Sequence, residues 1–148
     1  MAKLMALQLA ELKSIAQQHG GVVHPEDVVE FARNERTALH QSFEWDDTKA
    51  AEQYRIEQAR RLIRVMVEVI PHDEHEIKVQ AFVALKSERY EDGGYRHFPT
   101  VMKTQGGRES VLETAVWELE AFKSKYSELK ELAGVFAEIN KIKSKVRK

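Results

Sequence analysis

The residues best equipped for chemistry lie between positions 43 and 64, FEWDDTKAAEQYRIEQARRLIR. From 49 onward Lys49, Arg55, Arg60, Arg61 and Arg64 stand against only Glu52 and Glu57, a local charge of +3. Arginine and lysine bind backbone phosphate, and arginine also grips guanine. Gln53 and Gln58 carry the paired donor and acceptor that read base edges. This chemistry is nucleic-acid recognition. A second reading uses the same residues: Glu52 and Glu57 stand at helical spacing from the arginines and can neutralise them on a solvated face. Residues 1–70 as a whole carry −2, so the attraction to DNA is confined to this patch.

The acids and aromatics that open the stretch invite a metal reading, because Glu44, Asp46 and Asp47 could collect a divalent cation. Such a cation needs several converging oxygens, and no second acidic cluster joins these three. The structural alternative uses every residue. Asp46 or Asp47 begins a helix, accepts from its unpaired N–H groups and complements its dipole. Phe43 and Trp45 fold onto the first turn and fix the angle at which the chain arrives.

His72 and His75 enclose Asp73 and Glu74 in PHDEHE, which is a polar turn unless further ligands and a rigid frame complete a metal site. His19, His24, His40 and His97 are scattered near element ends and suggest no nucleophile–base arrangement. Gly93–Gly94 and Gly106–Gly107 lack the lysine and hydroxyl ending of a phosphate loop. The first pair reads as a turn. The second precedes a long helix, whose N-terminus could alternatively hold an anion.

The elements that must position these residues follow from periodicity. Leu4, Leu7, Leu9, Leu12, Ile15 and Ala16 predict a helix over 4–19, stopped at Gly20–Gly21. Val22–Val23 is a brief extended link. Pro25, at a first helical position, opens a second helix whose Val28, Val29, Phe31 and Ala32 form its buried side. NERTALHQSFEW is a polar connection anchored by Leu39, Phe43 and Trp45. The third helix runs from Asp46 or Asp47 with Ala50, Ala51, Tyr54, Ile56, Ala59, Leu62 and Ile63 along one stripe. VMVEVI and IKVQAFVAL, flanking the PHDEHE turn, predict a β-hairpin. GGYRHFP adds a short third strand after EDGG, ended by Pro99. From Leu112 a heptad seam passes through Leu119, Phe122, Tyr126 and Leu129. It serves either homo-oligomerisation or packing back on the sheet as a helical hairpin cornered near KYSEL or Gly134. The tail KIKSKVRK, five basic residues in eight, is expected to fray.

The order helix, link, helix, helix, hairpin is that of a winged helix-turn-helix, which puts its recognition helix third. The expected fold is α+β and mostly helical. Its winged-helix-like part covers 1–104 (three helices plus a β-hairpin or small antiparallel sheet), and its helical extension covers 105–148. Across 148 residues there is no cysteine, which excludes disulfides and thiolate chemistry and suits a reducing compartment. The opening MAKLMALQLAELK carries charges too early for a secretion signal, and no apolar run reaches a membrane span.

The segments GGVVHPEDVVEFAR, ALHQSFEWDDTKAAEQYRIEQARRLIR and AFKSKYSELKEL resemble a family of small proteins of tailed bacteriophages and prophages. The resemblance implies a phage origin and the cytoplasm of the bacterial host, and assigns no reaction and no site residue. The sequence is therefore read as a phage DNA-binding protein without catalysis, cofactor or metal. Lys49 and the basic tail would sit on phosphate, with Gln53, Arg55, Gln58, Arg60, Arg61 and Arg64 facing a groove. The alternative is a protein-interaction module that engages the phage particle or a host protein. Candidate partners are thus double-stranded DNA, a second copy and a phage or host protein, with no membrane.

Overall fold

The computed structural model describes residues 1–47, 49–88 and 93–146. The chain is α+β and mostly helical. Helix α1 spans Ala2–Gln18 and α2 Pro25–Ala32, with the two-residue strand β1, Val22–Val23, between them. After a single helical turn at His40–Ser42, α3 runs from Lys49 to Val65. Strands β2 (Val67–His72), β3 (His75–Gln80) and β4 (Phe82–Val83) follow. Then come β5 (Tyr95–His97), α4 (Phe98–Val101), α5 (Gln105–Lys125) and α6 (Ala133–Val146).

Helix α1 ends because Gly20 and Gly21 both take positive φ, which glycine adopts without steric cost. That reversal delivers Val23, fully buried, into a core shared with Leu12 and Ile15 of α1, Val28 and Val29 of α2, Ile63 of α3 and Phe82 of β4. Two polar side chains of α1 then organise the connection after α2. Glu11 accepts from the amides of Ala38 (2.8 Å) and Leu39 (2.9 Å). The buried Gln8 donates to Ala38 O and Ser42 Oγ. These bonds satisfy a loop that would otherwise carry unpaired buried donors. They also seat Leu39 in the core.

The strands form two antiparallel sheets. One is the hairpin β2–β3, in register from Val67↔Gln80 to His72↔His75. The other is three-stranded, ordered β1-β5-β4. The link Val22–Val23 is thus a strand, paired with Tyr95 and Arg96. The run IKVQAFVAL is one strand in expectation and two in fact, because Ala81 changes partners. Its N–H donates to Met66 O (2.9 Å) beside β2, while its carbonyl accepts from Phe98 N (2.7 Å) at the end of β5. The succession α1–β1–α2–α3–β2–β3 is that of a winged helix-turn-helix, with β5 interposed between β1 and β4 in the second sheet. Pro99 does not end a strand; it lies in the first turn of α4, where its missing N–H costs no helical bond. The turn within PHDEHE narrows to Asp73–Glu74. Of EDGG, Glu91 and Asp92 lie outside the described residues.

The base of the hairpin is fixed by Glu68. Its carboxylate accepts from Lys13 Nζ of α1 and from His97 Nε2 of β5 (2.6 Å), and His97 Nδ1 meets Thr100 Oγ1 at 2.7 Å. Helices α5 and α6 fold back on each other. Lys123 donates to Asn140 (2.7 Å), Glu120 pairs with Lys143 (3.2 Å), and Phe122 packs edge-on against Phe136. The corner lies at Tyr126–Leu132, so the heptad seam is interrupted rather than continuous. The tail remains helical to Val146, and Arg147 and Lys148 lie outside the described residues.

Burial pushes the Glu68 carboxyl up, but the hydrogen bonds from Lys13 and His97 outweigh it and hold the group below its ordinary 4.5. The tie therefore stabilises the fold fully above that pH and is lost as the pH falls through the lowered value. Glu68→Gln is expected to cost about 1–2 kcal/mol at neutral pH. It should also flatten the acid limb of stability measured by urea unfolding across pH.

Candidate nucleic-acid interface

The acid–aromatic stretch before α3 is organised by Arg55, which is 2% exposed. Its guanidinium donates to Glu52 Oε2 through Nε (3.2 Å) and Nη2 (2.9 Å). Through Nη1 it donates to the carbonyls of Glu44 (2.7 Å) and Asp46 (3.3 Å). Trp45 covers it from one side, with the guanidinium carbon 5.2 Å from the ring centroid. The indole in turn stacks on His40 at 4.8 Å and donates to the His40 carbonyl. His40 Nδ1 meets the Ala32 carbonyl at 2.7 Å, so that nitrogen carries the proton. Arg33 of α2 reaches the same Glu52 oxygen (2.9 Å). The hydrogen bond from Arg55 outweighs the opposing push of burial and, with a weaker contribution from Arg33, holds the Glu52 carboxyl below its ordinary range.

The stretch is therefore a structural knot. Asp46 and Asp47 are exposed, and no group of three metal-ligating side chains occurs among the described residues. Neither aspartate is the residue preceding α3, which begins at Lys49; the position before it, Thr48, lies outside the described residues. Two of the seven residues expected to face DNA are corrected by this geometry. Arg55 is interior because it shares a stripe with the buried Ala59 and Ile63 at four-residue steps. Gln58 is half-buried, with its side-chain oxygen accepting from the Glu44 amide (3.3 Å).

The remaining five sit on the opposite side of α3. Lys49, Gln53, Arg61 and Arg64 are exposed and Arg60 half-exposed. Arg60 is paired with Glu57 on the same face, and Arg64 Nε donates to the Arg60 carbonyl (3.2 Å). Because Arg55 and Glu52 neutralise each other inside, the outward face keeps four basic residues against Glu57, still +3. The hairpin is opposite in character. Residues 67–80 hold Glu68, Asp73, Glu74 and Glu76 against Lys78, a charge of −3, or −2 once Glu68 is set against Lys13, so this wing carries the sign of phosphate.

Outside α3, a cleft of about 610 Å³ opens beside Lys13, Arg96, His97, Thr100 and Gly107. The chain Thr100–His97–Glu68 has the order of a hydroxyl–imidazole–carboxylate relay, a juxtaposition of distant residues that the sequence does not announce. Lys13 occupies the other Glu68 oxygen, and Arg96 is bonded to Glu88 (2.6 Å), so the cleft's charges are spent on one another. Gly106 and Gly107 lie inside the first turn of α5. A side chain at Gly107 would meet the Val101 carbonyl at 2.0 Å, which accounts for that glycine by close packing. His72 and His75 pair across the hairpin, both exposed. On α5 the buried residues are Thr114 and Val116. The seam residues Leu112, Phe122 and Leu129 are 40–47% exposed, with Leu119 and Tyr126 half-buried.

No protein-family model matches this chain, and no curated protein or solved structure matches it. No helix among the described residues is long and apolar enough to cross a membrane.

Replacing Arg55 by methionine keeps most of its volume but leaves two carbonyls and part of Glu52 without their donor. Arg55→Met is expected to destabilise the fold by about 2–3 kcal/mol. Arg61→Ala should stay within about 0.5 kcal/mol. Urea denaturation of the two variants beside the parent checks the contrast.

Proposed function

We propose that the protein is a phage-encoded, non-catalytic DNA-binding protein that docks the outward face of α3 against duplex DNA. The observation that carries the reading is the solvent-facing set Lys49, Gln53, Arg60, Arg61 and Arg64, opposed on that face by Glu57 alone. Lysine and arginine at helical spacing can neutralise successive phosphates, and Gln53 offers a donor and an acceptor to a base edge. The position of α3, third in order and followed by a hairpin, is that of a recognition helix. The acidic wing restricts contact to the helix, because its carboxylates would meet phosphate with like charge. The phage origin, and with it the host cytoplasm, rests on the resemblance carried by the FEWDD and HPEDVVEFAR segments.

A second reading, a protein-interaction module, is favoured by the apolar side chains left outward on the C-terminal helices, Leu112, Trp117, Phe122 and Leu129. The two readings respond differently to salt. Four phosphate contacts give a slope of log affinity on log salt of about −3 to −4, whereas an apolar interface is nearly indifferent. Titration against random-sequence duplex at low and moderate salt is expected to show that slope. Binding should be lost in the Arg60→Glu/Arg61→Glu variant. Absence of binding at low salt, or binding that survives charge reversal, rejects the docking of α3.

A further inference from the structure

The hairpin β2–β3 is a sheet of two strands, and such ribbons are marginal in water unless extended or covered. Its two open edges are not equivalent. Ala81 N–H donates to Met66 O, and backbone groups alternate sides along a strand. The N–H and C=O of Ile77 and Val79 therefore face β2, while those of Glu76, Lys78 and Gln80 point outward. On β2 the outward residues are Val67, Val69 and Pro71. Proline has no N–H, so that edge is blunted. The β3 edge keeps all its donors, and five of its six residues are exposed.

We infer that the β3 edge pairs with the β3 edge of a second copy, antiparallel about a twofold axis at Ile77, to make a four-stranded sheet. Only registers that set outward residues opposite outward residues make the backbone bonds. Centring on Ile77 puts Glu76 opposite the partner's Lys78, and Lys78 opposite the partner's Glu76. Shifting the axis to either neighbour puts Glu76 against the partner's Glu76 or Lys78 against the partner's Lys78, which is unfavourable. Within the strand, centring on Ile77 sets opposite charges against each other at both pairs, so the charge pattern of HEIKVQ favours this register and this same chain as partner. On the other face the existing Ile70↔Ile77 pair meets the partner's Ile77 and then the partner's Ile70. That lines up four isoleucines across the strands, covering Ile77, which is 36% exposed in the single copy.

The register supplies its own test, independent of DNA, in sedimentation equilibrium of three proteins. The parent is expected to be a dimer. Lys78→Glu makes the edge wholly acidic and Glu76→Lys makes it wholly basic, so each alone should weaken association about tenfold or more. The two variants mixed in equal amounts present opposite charges at both facing pairs and should dimerise like the parent. Both positions are exposed, and circular dichroism of each variant shows that it is folded. A monomeric parent at millimolar protein overturns the proposal. So does a dimer that ignores both single changes, or a mixture that fails to recover.

Discussion

A guanidinium sealed from water must have its donors satisfied, and this requirement at Arg55 governs the architecture around α3. The side chain gathers Glu52 from its own helix and the carbonyls of Glu44 and Asp46 from the segment before it. Trp45 is drawn over it and, through His40, reaches the end of α2. One buried cation therefore fixes the approach of the chain to α3, the rotation of α3 about its axis and its docking against α2. Once that rotation is set, Ala59 and Ile63 must point to the core, and Lys49, Gln53, Arg60, Arg61 and Arg64 must point away. A charged group inside is costly unless fully paired. Here the pairing converts that cost into a single orientation of the helix.

The molecule separates its charges by element. The outward face of α3 is +3 while the hairpin that follows is −3, although the whole chain is nearly neutral. Local fields of opposite sign on adjoining elements make the two surfaces attractive to groups of opposite charge. The base of the hairpin is tied by Lys13, Glu68 and His97. Its tip and its β3 edge are left to solvent.

Helical periodicity was legible wherever local spacing decides structure. It located α1, α2 and the body of α3, while alternation and turn residues located the hairpin and the strand at Tyr95–His97. The corner between the last two helices falls at and just after KYSEL, one of two places its pattern allowed. What escaped was decided by partners distant in sequence. Val22–Val23 is a strand only because Tyr95–Arg96 lies beside it. Ala81 breaks a continuous β-branched run only because Met66 and Phe98 claim its two backbone groups. The thread from Lys13 through Glu68 and His97 to Thr100 joins four elements and leaves no local trace. Arg55 is the instructive case. Counted by charge it belongs with the DNA-facing arginines; counted by position it belongs with Ala59 and Ile63, with Glu52 three residues before it. The four-residue step was visible in the sequence. It became decisive only when the backbone supplied the carbonyls of Glu44 and Asp46 as acceptors.

The central claim is that one arginine of α3 is structural and the others lie on its outward face, where the proposed contact with DNA falls. Hydrogen exchange at the arginine Nε–H groups, followed by nitrogen-15 NMR with and without duplex DNA, separates the two kinds directly. The expected result is a slowly exchanging Arg55 Nε–H whose signal does not move on adding DNA, beside a fast-exchanging Arg61 Nε–H and Arg60, Arg61 and Arg64 signals that do move. Rapid exchange at Arg55, or a DNA-induced shift there with none at the other three, would contradict the account.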